Sequence, residues 1–269
     1  YLKRMNRPST RVTFGTFHGV FYGILRNAYR LSGQNILSEE QKQRLLRELV
    51  HTYCRETEEE DELTANLNRE IGTVKNNRIE LEHFYSTACP EEVFRTIYRA
   101  YEEWKKKNRK LDFDDIMVWC YELFRKHPGI LSLWQKKFQY ILIVEFQDIN
   151  PIQYDIVRML AKPQDNLFIV GDDDQSIYRF RGARPEIMLH FPEDYPNAET
   201  VTLDVNYRST GAIVRQAGKL IANNRMRFPK NITASHGQGK AVALREYGTV
   251  REELQEVSEN IRSCAAEGT

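Results

Sequence analysis

Two apolar runs in this chain end in acid. ILIV at 141–144 leads into Glu145-Phe146-Gln147-Asp148, and LFIV at 167–170 leads into Gly171-Asp172-Asp173-Asp174-Gln175. Between them, Asn150-Pro151 opens a segment with Ile152, Ile156, Val157 and Leu160 at helical spacing. β-rich runs bounded by polar residues predict strands covered on both faces. Strand, helix, strand is a βαβ unit, and its crossover brings both strand ends to one edge of a parallel sheet. Ligands of open parallel sheets sit beyond those carboxyl ends. Either cluster alone has the composition of an ordinary turn. Two of them joined by a capped helix point to one site.

The rest of the chain supports an α/β class with a helical block inside it. TVTLDV at 200–205 predicts a third strand, followed by a helix over 209–224 with Ile213, Val214, Leu220 and Ile221 on one face. Upstream, Ser38-Glu39-Glu40-Gln41 is a capping box for a helix striped by Leu45, Leu46, Leu49, Val50 and Tyr53. EEEDE at 58–62 predicts a loop. A second stripe, Val93, Phe94, Ile97, Tyr98, Tyr101 and Trp104, follows Pro90 and ends in KKKNRK, so residues 35–107 are expected to be all-helical. LDFDDIMVWCYELFRKH predicts a helix with Phe113, Ile116, Met117, Cys120 and Leu123 on one side. A last helix opens with the box Thr249-x-x-Glu252 and carries Val250, Leu254, Val257, Ile261 and Cys264.

Composition narrows the function classes. With 41% hydrophobic residues in 269, a sizeable core can form. No stretch approaches the roughly 18 apolar residues of a membrane span, and the first residues contain no apolar signal region. Cys54, Cys89, Cys120 and Cys264 form no CxxC pair, which argues against a zinc site and for reduced thiols in a cytoplasmic protein. Asp112, Asp114 and Asp115 suggest favourable charge at a helix N-terminus rather than a nuclease metal site, so no metal site is assigned. Net charge is only +1, yet residues 1–30 and 205–232 each carry six Lys or Arg and no acid. That distribution suggests a face for a polyanion.

Five segments, in order, are TFGTFHGVFYGILR, LDFDDIM, YILIVEFQDINPIQYDIVRML, IVGDDDQSIYRFRGA and NYRSTGAIVRQAGKLIANN, covering most of residues 12–232. Together they resemble the superfamily-one DNA helicases of the UvrD, Rep and PcrA kind. The resemblance implies a partial RecA-like (P-loop NTPase) parallel sheet with an inserted all-helical subdomain and the start of a second RecA-like domain, with ATP bound between the two domains. On that pattern residues 1–34 belong to the first RecA-like domain, 35–107 to the helical subdomain, 108–205 to the remainder of the first domain, and 206–269 to the incomplete second. Glu145 then orients and activates the attacking water, Gln175 senses the γ-phosphate, and Arg208 in NYRS acts as an arginine finger. Tyr178, Phe180 and Arg181 touch single-stranded DNA, where aromatic stacking is worth about 1–3 kcal/mol per base. Thr16 and His18 in GTFHG resemble the segment that holds the DNA backbone. The implied partners are single-stranded DNA and duplex junctions, with no membrane.

Two departures from the family pattern stand out. Val144 occupies the place of an Asp that holds magnesium, and valine offers a hard cation no oxygen. Ile149, where Thr is common, is a smaller change. No GxxxxGK[ST] occurs in the 269 residues. The expectation is an internal fragment of a 3′-to-5′ helicase whose parent uses ATP and Mg2+, while the isolated chain binds neither and does not hydrolyse ATP. The alternative is a non-catalytic single-stranded nucleic-acid-binding or scaffold module derived from such a helicase. A metal nuclease is disfavoured, because no His accompanies the acids.

Overall fold

The computed structural model describes residues 12–54, 59–177 and 182–267. The chain divides into two compact units between Asn197 and Ala198. The first unit contains the expected parallel sheet. β1 (Ile141–Ile143) and β2 (Leu167–Ile169) pair in parallel, with Ile143 opposite Ile169. The crossover is α7 (Pro151–Ala161), with Asn150 as N-cap and Pro151 at its first position. Before the sheet come α1 (Phe17–Tyr29), α5 (Phe113–Lys126) and α6 (Pro128–Lys137). Phe21, Ile24, Ile116, Cys120, Phe124 and Ile156 join α1, α5 and α7 in one buried core. After the sheet, the short α8 (Pro185–Leu189) and α9 (Phe191–Asp194) bring Phe191 onto Phe146.

Within the described residues, the two faces of β1 differ. Leu142 is 71% and Val144 73% exposed, so the described residues cover one face of β1. Ile143 packs with Phe146 and Val157, while no described element of this unit covers the opposite side. A continuous apolar run does not say how many faces are covered, because it reads the same either way.

The helical subdomain consists of α2 (Glu39–Tyr53), α3 (Glu60–Asn76) and α4 (Glu91–Asn108). Ser38 caps α2 in the expected box with Gln41. The acidic run differs from expectation: Glu60, Asp61 and Glu62 form the first turn of α3 rather than a loop. Acids at a helix N-terminus are favoured by the positive end of the helix dipole. The apolar stripe behind them (Leu63, Leu67, Ile71, Val74) packs against Leu46 and Phe94 to form a second, separate core. The two connections to this subdomain bind each other, Leu37 N–H to Leu111 O and Leu111 N–H to Asn35 O, both at 2.8 Å.

In the second unit, β3 (Val205–Asn206) pairs in parallel with β4 (Thr233–Ala234). α10 (Gly211–Ile221) and α11 (Val250–Glu267) complete it, with Thr249 and Glu252 forming the expected box. The strand expected over 200–205 is regular only at its end. Val201 and Leu203 are 80% and 82% exposed, and no described strand is paired with them. Without a ladder partner, β-propensity alone does not make a strand.

Candidate active site

The parallel register aligns the two acidic strand ends. Val170 N–H donates to Ile143 O at 2.8 Å, and Phe146 N–H donates to Val170 O at 3.0 Å. At the end of β1 the chain turns through Glu145, whose φ of 54° and ψ of 43° are left-handed. That conformation costs a non-glycine residue about 1–2 kcal/mol, and such outliers cluster at functional sites. The Glu145 side chain is exposed.

Gln147, only 2% exposed, spans the two clusters. Its Nε2 donates to Glu145 Oε2 at 2.8 Å, and its Oε1 accepts the Asp172 N–H at 3.1 Å. Asp172 Oδ2 in turn accepts from Gln175 Nε2 at 2.7 Å. Ser176 Oγ donates to the Gln147 carbonyl at 3.3 Å. Glu145 and Gln175 are therefore joined by hydrogen bonds through Gln147 and Asp172 at one rim of the sheet. Gln147 was legible in the sequence only as part of a polar cluster. Its role follows from two amide contacts that no spacing rule encodes.

The rim gathers groups able to donate to and accept from a polar ligand. It offers an exposed carboxylate, an exposed amide donor, and the Asp148 carboxyl, pushed up by burial and by nearby Glu145. Val144 contributes no oxygen. An amide donor and a carboxylate at one rim have the chemistry to meet a nucleotide's phosphates, while the side chain at 144 cannot hold Mg2+.

Two further candidates lie at the start of α1. Thr16 is the N-cap of α1, its Oγ1 accepting the Gly19 N–H at 3.2 Å. His18, in the first turn of α1, meets the Phe113 ring edge-on at 5.5 Å. Burial lowers the pKa of its imidazole, and the Asp114 carboxylate only partly opposes this. Tyr178, Phe180 and Arg181 lie outside the described residues. Arg208 is exposed in the second unit. Its backbone is set by Asn206, whose Oδ1 accepts the Arg208 and Ser209 N–H groups at 2.9 and 2.8 Å. Gly211 and Ala212 N–H at the start of α10 donate to the Gly237 and Gln238 carbonyls, so residues 237–238 brace NYRST from behind.

Among the described residues, one acid cluster has the spacing of a cation site: Glu102, Asp112 and Asp115. It already contains two cations. Lys75 Nζ lies 2.7 Å from Asp112, and 2.8 Å from both Asp115 and Glu102. Lys105 Nζ lies 2.5 Å from Asp115 and 3.1 Å from Asp112. Burial works against the charges, yet Asp112, Asp115 and Glu102 raise Lys75 well above its usual range, and Lys75 and Lys105 hold Asp112 well below its own. Asp112 and Asp115 also form the capping box of α5, as helix N-terminal acids are expected to. The cluster ties α3 and α4 to α5 and leaves no room for a metal ion.

Residues 2–196 match the family model described as UvrD/REP helicase N-terminal domain, and residues 201–269 match that of the UvrD-like helicase C-terminal domain. The chain is 41% identical over 229 residues to the putative ATP-dependent DNA helicase YjcD of Bacillus subtilis (strain 168), covering 84% of this chain and 30% of that protein. It is 43% identical over 171 residues to the ATP-dependent DNA helicase PcrA of the same organism, covering 63% and 23%. With PcrA of Leuconostoc citreum it shares 33% identity over 253 residues, covering 92% and 34%. The chain thus spans between 23% and 34% of the length of these relatives.

Proposed function

Because the chain belongs to the UvrD/REP helicase family, we propose that it is part of an ATP-dependent DNA helicase or translocase moving 3′ to 5′ along single-stranded DNA. The observation that carries this reading is the hydrogen-bonded series Glu145, Gln147, Asp172, Gln175 across adjacent strand ends. ATP with Mg2+, which helicases of this family use in general, supplies the phosphoanhydride whose cleavage drives such a motor. Glu145 orients and deprotonates the attacking water, with Gln147 fixing the direction of its carboxylate. Gln175 donates toward the terminal phosphate, and Arg208 supplies positive charge to the transition state. Thr16 and His18 are assigned to the DNA backbone, and Tyr178, Phe180 and Arg181 to the bases and phosphates of one strand. No helix among the described residues is long and apolar enough to cross a membrane, and a cytoplasmic location accompanies this reading.

We also assign the isolated 269-residue chain no ATPase activity of its own, on the ground of Val144 and the missing phosphate-loop motif. DNA-stimulated hydrolysis by the pure chain, abolished by Glu145→Gln, would overturn that assignment. The polynucleotide reading is tested by fluorescence anisotropy with an oligo-dT strand. Binding should weaken as salt rises and should drop on Phe180→Ala. Salt-insensitive binding, or none, counts against it. Val144 favours a second reading, a non-catalytic strand-binding or scaffold module, because its side chain offers Mg2+ no oxygen. Strand binding without nucleotide dependence in the full-length protein would select that reading.

A further inference from the structure

The last residue of α3 and the two that follow it reach three parts of the first unit. Asn76, 8% exposed, donates from Nδ2 to Asp114 Oδ1 at 2.7 Å, and its Oδ1 accepts from Asn150 Nδ2 at 3.3 Å. Asn77 Oδ1 accepts from Arg184 Nη2 at 3.1 Å. Arg78 pairs with Asp155 on α7 and lies 4.3 Å from the centre of the Tyr121 ring on α5.

The end of α3 is held by the backbone, where Asn77 N–H donates to Thr73 O, Arg78 N–H to Lys75 O and Ile79 N–H to Val74 O. Asn76 and Asn77 add to it, donating from Nδ2 to the Gly72 and Thr73 carbonyls, both at 2.9 Å. The same three consecutive polar side chains also reach partners 38 to 107 residues away in sequence.

Their targets matter. Asn150 is the N-cap of α7 and closes the loop that Glu145 begins. Arg184 N–H donates to Ile149 O at 3.0 Å, so residues 149–150 and 184 are bound to each other as well as to α3. At its other end α3 is packed into the separate core of the helical subdomain. We propose that Asn76, Asn77 and Arg78 are positioning residues through which the helical subdomain sets the geometry of the Glu145–Asn150 loop and of residues 182–184. Hydrogen bonds weaken steeply with misalignment, so a small displacement of α3 is felt directly at both loops. The inference goes beyond the proposed function and concerns loop geometry alone; a failed DNA-binding or ATPase assay leaves it standing.

Hydrogen–deuterium exchange on the 269-residue chain tests it. Asn76→Asp places a second carboxylate against Asp114 while keeping the acceptor for Asn150. Amides of 146–150 and 184 should then exchange about tenfold faster, the effect of losing one net hydrogen bond, with α2 and α4 unchanged. Adding Asp114→Asn returns a donor to the pair and should restore protection. Unchanged exchange at 146–150 and 184, an equal rise in α2 and α4, or no rescue by the second substitution would overturn the proposal. Should Asn76→Asp not fold, Asn77→Ala decides it: faster exchange at Arg184 supports the proposal, and unchanged exchange overturns it.

Discussion

A methyl group on Gly171 would collide with Gln147: an added Cβ lies 2.6 Å from Gln147 Oε1 and 3.1 Å from its backbone nitrogen. The second strand end is bare at this point because the bridging amide of the first occupies the space. Gly171→Ala should therefore destabilise the first unit by about 1–3 kcal/mol, the usual range for overpacking. Combined with Gln147→Ala, the loss should be less than additive, since the closest of three contacts is gone while Met188 Sδ at 3.0 Å and the Gln147 nitrogen remain. Thermal melts of the two single variants and the double variant measure this. Strict additivity would mean that the two residues do not share the space.

Glu145 pays for its place with a left-handed backbone. Glu145→Gly should fold as well as the parent or better, because glycine adopts that conformation freely. Glu145→Val should lose about 1–2 kcal/mol, since a β-branched residue is least tolerant there. Chemical denaturation of both variants gives the comparison. Equal stability would mean that the turn relaxes when Glu145 is replaced.

Lys75 neutralises a cluster that sits between two otherwise separate cores. Lys75→Met should cost about 3–5 kcal/mol, because removing one partner leaves buried carboxylates uncompensated. The loss should show as a lower unfolding midpoint, and added Mg2+ or Ca2+ should not restore it if the cluster has no cation site. Recovery on adding a divalent ion would show that one can enter.

His18 has its pKa lowered from 6.5, chiefly by burial. A lowered folded-state value means that the unfolded chain binds the proton more tightly. The neutral ring's contribution is therefore present above pH 6.5 and is lost as pH falls below it. His18→Gln should flatten the stability profile between pH 7 and pH 5, read from melts across that range. A variant with the same slope as the parent would place the pH dependence elsewhere.

The sequence by itself determined the local grammar. The boxes at Ser38 and Thr249, the Asn150-Pro151 start of α7 and the helical stripes of α2 and α4 all appear where expected. Such signals arise from contacts within one helical turn, so they survive in one dimension. The alternation of strands and helices, and the motifs that mark the family, are legible for the same reason. Tertiary structure decided the rest. Among the described residues it covered one face of β1, started α3 inside the acidic run, set Gln147 between Glu145 and Asp172, and closed Lys75 onto Asp112 and Asp115. Gln147 meets Asp172 across 25 residues and Asn76 meets Asn150 across 74. A pairing of that range depends on how whole elements pack, and no local periodicity records it.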